Sequence, residues 1–262
     1  MTKGKVFLVG AGPGDPKLIT VKGMECIQQA DVIAYDRLVN KELLTYAKQG
    51  AELIFCGKLP GRHALIQEQI NRLLVEKAEQ GLIVTRLKGG DPCVFGRGGE
   101  EAEELAKKNI AFEIIPGITA GIAAPAYAGI PVTHRDHASS FAIVTAHGRE
   151  QKGEDHINWQ ALAQGIDTIA FYMGVGNLNH ICDQLIRHGK KPSTPAAIIE
   201  WGTTAQQRTI TGELSTIEQK AKEHQITNPA IVLVGDVVQL REKINWFDNH
   251  SYEMLNEHSL IK

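Results

Sequence analysis

The sequence predicts an α/β fold, and three observations carry the prediction. Short, β-rich apolar runs recur along the chain, stretches of helical periodicity separate them, and glycine-rich turns follow two of the runs: GAGPGDP at 10–16 and KGGDPCVFGRGGEE at 88–101. Continuous apolar runs of this length suit strands buried on both faces of a parallel sheet. Ligands of such sheets bind at the carboxyl ends of the strands, where glycine lets backbone approach a bound molecule closely.

The first run, Val6–Val9, reads as a strand; Leu18–Ala30 reads as a helix, Asp31–Tyr35 as a strand and Glu52–Cys56 as another. Ile66, Ile70, Leu73, Leu74 and Ala78 fall on one helical face, with Gly81 as the stop. Strand Leu82–Leu87 and helix Gly99–Asn109 continue the alternation, and Phe112–Ile115 closes the first sheet before Pro116. The stretch PGITAGIAAPAYAGIP, 116–131, is apolar, but its glycines and prolines and its modest length argue for a helix buried between two lobes rather than a membrane span. The boundary is placed after it, giving domains 1–131 and 132–262. In the second, Ser140–Thr145, Thr168–Met173, Ala196–Glu200 and Ile231–Val234 read as strands, and QRTITGEL at 207–214 reads as a hairpin.

Composition sets limits. A chain of 262 residues with 43% hydrophobic content can form two modest cores. A net charge of −2 predicts no global attraction to nucleic acid or anionic membrane. Cys26, Cys56, Cys93 and Cys182 are isolated from one another, so neither a metal-ligand spacing nor a disulfide framework is expected. The N-terminus lacks the apolar length of a signal segment, and a cytoplasmic location is expected.

Gly10, Gly12 and Gly14 invite a dinucleotide reading, which fits poorly. Pro13 lacks an N–H for a pyrophosphate, Asp15 puts a carboxylate where an anion would bind, and the third glycine of the fingerprint is missing. A ligand without phosphates, cationic in character, suits the repeated Gly-Asp-Pro better. At the second turn, Asp91 can accept hydrogen bonds from such a ligand or can simply cap the following helix.

VGAGPGDPKLITVKG, ADVIAYDRLV, GGDPCVFGRGGEE, PGITAGIAAPAYAGIPVTHR and NPAIVLVGDVV, in that order and spanning about residues 5–247, resemble the tetrapyrrole methyltransferases. The resemblance implies two α/β domains with a ligand cleft between them, S-adenosyl-L-methionine as methyl donor, and transfer of two methyl groups to uroporphyrinogen III, giving precorrin-2 for sirohaem or cobalamin; no metal is expected, since the chain shows no clustered ligand set. It also implies a homodimer. Residues matching donor-contacting positions are Pro13, Gly89, Gly90, Asp91, Val94, Thr119, Ala120, Met173 and Gly202. Asp36 matches a proton acceptor and Lys58 a proton donor, although Asp36 can equally form an ion pair with Arg37.

An acidic macrocycle requires local cations, and Arg37, Arg97 and His134 are the foremost candidates, with Lys58, Arg62, Arg135 and Arg149 beside them. Other members of the same fold, acting on corrins, on diphthine precursors or on rRNA, are the alternative enzymes; a dehydrogenase is disfavoured by Pro13 and Asp15.

Overall fold

The computed structural model describes residues 3–57, 66–146 and 157–247. The chain divides into two compact units, Met1–Thr119 and Ala120–Lys262. The first contains strands β1 (Lys5–Gly10), β2 (Val32–Tyr35), β3 (Glu52–Phe55), β4 (Ile83–Lys88) and β5 (Ala111–Ile115). They form one sheet in the order β3-β2-β4-β1-β5, with every pairing parallel.

The continuous apolar character of β1 follows from burial on both faces. Val6 and Leu8 pack with Ile70 and Leu74 of α2 (Gln67–Glu79) and Leu105 of α3 (Gly98–Lys107). Phe7 and Val9 pack with Cys26 and Ile27 of α1 (Val21–Gln29) on the opposite side. The helix expected over 18–30 is in fact a 3-10 turn, Pro16–Leu18, followed by α1. Two caps cause the break: the Asp15 carboxylate accepts from the Lys17 N–H at 2.9 Å, and Thr20 Oγ1 accepts from the Gly23 N–H at 3.0 Å.

The second unit contains α4 (Ala120–Tyr127), β6 (Phe141–Thr145), α5 (Trp159–Gly165), β7 (Thr168–Tyr172), α6 (Leu178–Arg187), β8 (Pro195–Glu200), β9 (Arg208–Glu213), α7 (Ile217–Glu223) and β10 (Ala230–Val234). Its sheet runs β6-β7-β10-β8-β9 and is mixed. β6 and β7 are parallel, β10 is antiparallel to both β7 and β8, and β9 is antiparallel to β8. The hairpin expected within 207–214 is therefore a single edge strand, β9, whose hairpin partner is β8.

The division at Thr119 falls before the expected 131. Ala124 and Ala128 of the apolar stretch join a core with Ala170, Ala197, Ile199, Ile231 and Leu233, so α4 belongs with the second sheet. Among the described residues no helix is long and apolar enough to cross a membrane.

Candidate active site

In the first unit the two glycine turns meet. Gly12 and Gly90 form an antiparallel bridge, Gly12 N–H donating to Gly90 O at 3.2 Å and Gly90 N–H to Gly12 O at 2.7 Å. Both have positive φ, +77° and +69°, which glycine adopts without strain. Gly117, just after β5, seats its Cα against the same bridge. A Cβ there would lie 2.3 Å from the Gly90 carbonyl oxygen.

Asp91 holds this arrangement together. One carboxylate oxygen accepts from the N–H groups of Cys93 (2.8 Å) and Val94 (3.2 Å), and the other from Gly117 N–H (3.0 Å). Asp91 does not cap the following helix, whose N-cap is Arg97; its bonds close the turn that precedes α3 and reach the loop after β5. Gly89 packs against Leu38, where a Cβ would come within 3.1 Å of the Leu38 Cβ. Pro13 and Val94 are half-buried and Thr119 is buried. These candidates all lie at or just beyond the carboxyl ends of β1, β4 and β5, as parallel strands require of a binding edge.

In the second unit, Ala120 opens α4, Gly202 packs against that helix, and Met173 follows Tyr172, which bonds to the same helix. β7 and β8 both flank β10, with Tyr172 and Ile199 opposite the same residue, Ile231, so the two strands end at one edge. The Gly121 N–H at the start of α4 donates to the Tyr172 hydroxyl at 2.5 Å. A Cβ at Gly202 would lie 2.4 Å from the Ala124 Cβ of the same helix. Met173 is 46% exposed with φ +54°, which excludes an ordinary core role. Trp201 and Thr203, on either side of Gly202, also have positive φ.

The charged candidates divide. Asp36, following β2, pairs with Arg86 of β4 (2.5 Å) and lies 3.7 Å from Lys88, rather than forming the Asp36–Arg37 pair that chain adjacency suggested. Arg86 and Lys88 share Glu101 of α3, at 3.0 and 2.9 Å. Burial alone would lower the Arg86 pKa, but the carboxylates of Glu101 and Asp36 outweigh it and hold the guanidinium above its ordinary value. The same burial pushes the Cys56 thiol up beside this cluster. Sequence reading missed Arg86, Lys88 and Glu101; the available signal was a cation inside an apolar run assigned to a buried strand.

Arg97 directs its fork at Glu100, with bonds of 2.9 and 2.6 Å, both side chains being 53% exposed. Arg37 and Arg135 are exposed. His134 is half-buried in a turn, where its Nδ1 accepts from the Asp136 N–H. Lys58, Arg62 and Arg149 lie outside the described residues. A cavity of about 410 Å³ in the second unit is lined by His137, Asp167, Lys190, Lys191, Thr194 and Asp236. It opens beside the start of β7, the end remote from Met173.

The first unit fits a sulfonium donor better than a nucleotide diphosphate. Asp15 caps the turn after β1 with its carboxylate, occupying the N–H that a phosphate would use, and Asp91 does the same after β4.

Glycine turns at the carboxyl ends of a parallel sheet define a small-molecule-binding α/β protein. The sequence profile of the Tetrapyrrole (Corrin/Porphyrin) Methylases matches residues 5–218, and the chain belongs to that family. It is 64% identical over 235 residues to a uroporphyrinogen-III C-methyltransferase of Priestia megaterium, covering 90% of this chain and 98% of that one. A Bacillus subtilis protein of the same name is 54% identical over the whole of this chain, which spans 53% of that longer relative. Among solved structures, a uroporphyrin-III C-methyltransferase from Thermus thermophilus complexed with S-adenosylhomocysteine aligns with TM-score 0.76 and 37% identity, covering 90% of this chain and all of that one.

Proposed function

We propose that this chain transfers methyl groups from S-adenosylmethionine to uroporphyrinogen III, two per macrocycle, giving precorrin-2 for sirohaem or cobalamin. The observation that carries this reading is the pair of bridged glycine turns whose aspartates are turned onto backbone N–H groups, in a chain 64% identical to an enzyme named for this reaction. When bound, the donor supplies an electrophilic methyl group.

The protein's own contribution is placement. Gly10, Gly90 and Gly117 keep the strand ends free of side chains, and Asp91 fixes the loop they form. Met173 offers an apolar, polarisable contact, held exposed by its backbone conformation. Proximity and alignment supply most of the rate of such a displacement. Methylation makes a fully substituted ring carbon quaternary and leaves the macrocycle cationic; a proton lost elsewhere on the macrocycle restores neutrality, and Asp36, 31% exposed at the end of β2, is the proposed acceptor. Lys58 as proton donor rests on the family resemblance alone. Arg97, Arg37 and His134 are proposed to meet the carboxylates of the macrocycle, Arg97 by exchanging Glu100 for one of them.

We further propose a cytoplasmic homodimer. The apolar residues left exposed on edge strand β5, Phe112 and Ile114, support self-association, and light scattering measures it. The donor assignment is tested by calorimetry. S-adenosylhomocysteine should bind saturably and NAD should give no response; the reverse pattern overturns the assignment.

A further inference from the structure

Four charged side chains converge on the face of the first sheet covered by α2 and α3, and only one of them reaches solvent appreciably. Arg86 is 2% exposed, Lys88 3% and Glu101 0%, while Asp36 is 31% exposed at the rim. Val84, Arg86 and Lys88 alternate onto this face of central strand β4, and β2 lies alongside in register, with Ala34 opposite Arg86. The Arg86 guanidinium spans the group. Its Nη2 donates to Asp36 Oδ1 at 2.5 Å, its Nε to Glu101 Oε1 at 3.0 Å, and its Nη1 to the Ala34 carbonyl at 3.3 Å. Glu101 Oε1 also accepts from Lys88 Nζ at 2.9 Å and from Gln67 Nε2 of α2 at 3.1 Å.

A buried ion network of this kind is a poor device for stability. Removing several charges from water costs so much that well-packed apolar residues of similar volume often do as well or better. The two cations and two carboxylates balance, and the planar fork of Arg86 offers Asp36 a fixed direction that a flexible ammonium would not. The burial of three groups is organised around the one that faces out.

We propose that Arg86 and Glu101 are positioning residues: Glu101 clamps the guanidinium, and the guanidinium fixes the orientation of the Asp36 carboxylate at the rim of the sheet. This rests on the reading of Asp36 as the proton acceptor, and it makes the pair act through Asp36 alone. A misplacement of a reacting group by about 1 Å can cost on the order of a hundredfold in rate.

The test is a mutant cycle in single-turnover methyl transfer from S-adenosylmethionine to uroporphyrinogen III. The first arm replaces the pair together, Arg86→Met with Glu101→Met, which avoids leaving one buried charge alone. The second is Asp36→Asn, and the third combines them. Circular dichroism and S-adenosylhomocysteine binding verify folding. The expected result is a fall in the single-turnover rate constant of about tenfold to a hundredfold for the pair, with the tetrapyrrole concentration that gives half the maximal rate changed less than about threefold. Asp36→Asn should fall further, and adding the pair substitution to it should cost less than about twofold more, since nothing is left to orient.

Losses that multiply, or a pair variant at the wild-type rate beside an impaired Asp36→Asn, overturn the proposal while leaving Asp36 its role. A normal rate for Asp36→Asn removes that role and the proposal with it. Wild type that transfers no methyl group refutes the reaction itself. If the double substitution does not fold, the same cycle is run with Arg86→Lys, which keeps the charge and drops the fork, and the same outcomes apply.

Discussion

Replacing Gly117 by alanine adds one methyl group at the point where three strand ends meet. The new Cβ would stand 2.3 Å from Gly90 O, 2.7 Å from Gly10 Cα and 2.9 Å from Gly10 C, against 3.4 Å where ordinary contact begins. The deficit is about 1 Å, and all three neighbours are backbone, so no flexible side chain can yield. Overpacking of this kind costs about 1–3 kcal/mol, and relief requires the Gly12–Gly90 bridge or the Asp91 bond to Gly117 to give way. Gly165→Ala is the control: nothing lies within 4 Å of its added Cβ, and it closes α5, so the change should be neutral or stabilising by up to about 1 kcal/mol. The assay is urea unfolding of both variants with calorimetric titration of S-adenosylhomocysteine. Gly117→Ala should unfold at lower urea and bind at least about tenfold more weakly. An unchanged midpoint with unchanged affinity would refute the account of the glycine junction.

Arg97→Lys keeps the charge but loses the two-bond fork; tetrapyrrole turnover should fall by about tenfold while S-adenosylhomocysteine affinity changes little, and an unchanged response places Arg97 on the ordinary surface. In native protein a thiol reagent should label Cys93 quickly and leave buried Cys26, Cys56 and Cys182 until urea is added; Cys182 is the extreme case, its thiol pushed up to about 12 by burial. Dialysis against a chelator should leave methyl transfer intact, the described residues bringing together no three or more His, Cys, Asp or Glu in an arrangement that could hold a metal ion; loss of activity restored by zinc would contradict this. The Glu113 carboxyl is held down to about 2 by its hydrogen bonds with Lys22 and Lys5, so it stabilises the fold above its ordinary 4.5 and that contribution is lost as pH falls toward 2. Glu113→Gln should flatten this part of the acid unfolding curve, as should added salt; an unchanged curve would show the pair to be immaterial.

The strands of the first sheet were legible to within a residue or two: in β1, β2 and β4 burial on both faces writes an unbroken or nearly unbroken apolar run, while the largely exposed edge strands β3 and β5 were marked by their short, β-rich apolar composition. What the runs cannot write is direction. The second sheet inserts β10 between β7 and β8 and reverses it, and nothing in Ala230–Val234 itself distinguishes an antiparallel neighbour from a parallel one. The break at Thr20 was hidden because apolar periodicity continues across two caps. The packing of α4 is not written in its small apolar residues, which suit either core; only the contacts of Ala124 and Ala128 place it with the second sheet.

The glycine turns were legible as strand ends rich in glycine; that Gly12 meets Gly90 follows from β1 lying beside β4. The partner of Asp36 was not legible. Arg37 follows it in the chain, but Arg86, fifty residues later, reaches it because β4 lies beside β2. Lateral contacts of this kind appear only once strand order is known.

The central claim is tested most directly by incubating the protein with S-adenosylmethionine and uroporphyrinogen III under reducing conditions and weighing the tetrapyrrole. The account predicts a product heavier by two CH2 units, a methyl gained and a proton lost at each transfer, formed with two equivalents of S-adenosylhomocysteine. A tetrapyrrole of unchanged mass, in the presence of protein that binds S-adenosylhomocysteine, would contradict it.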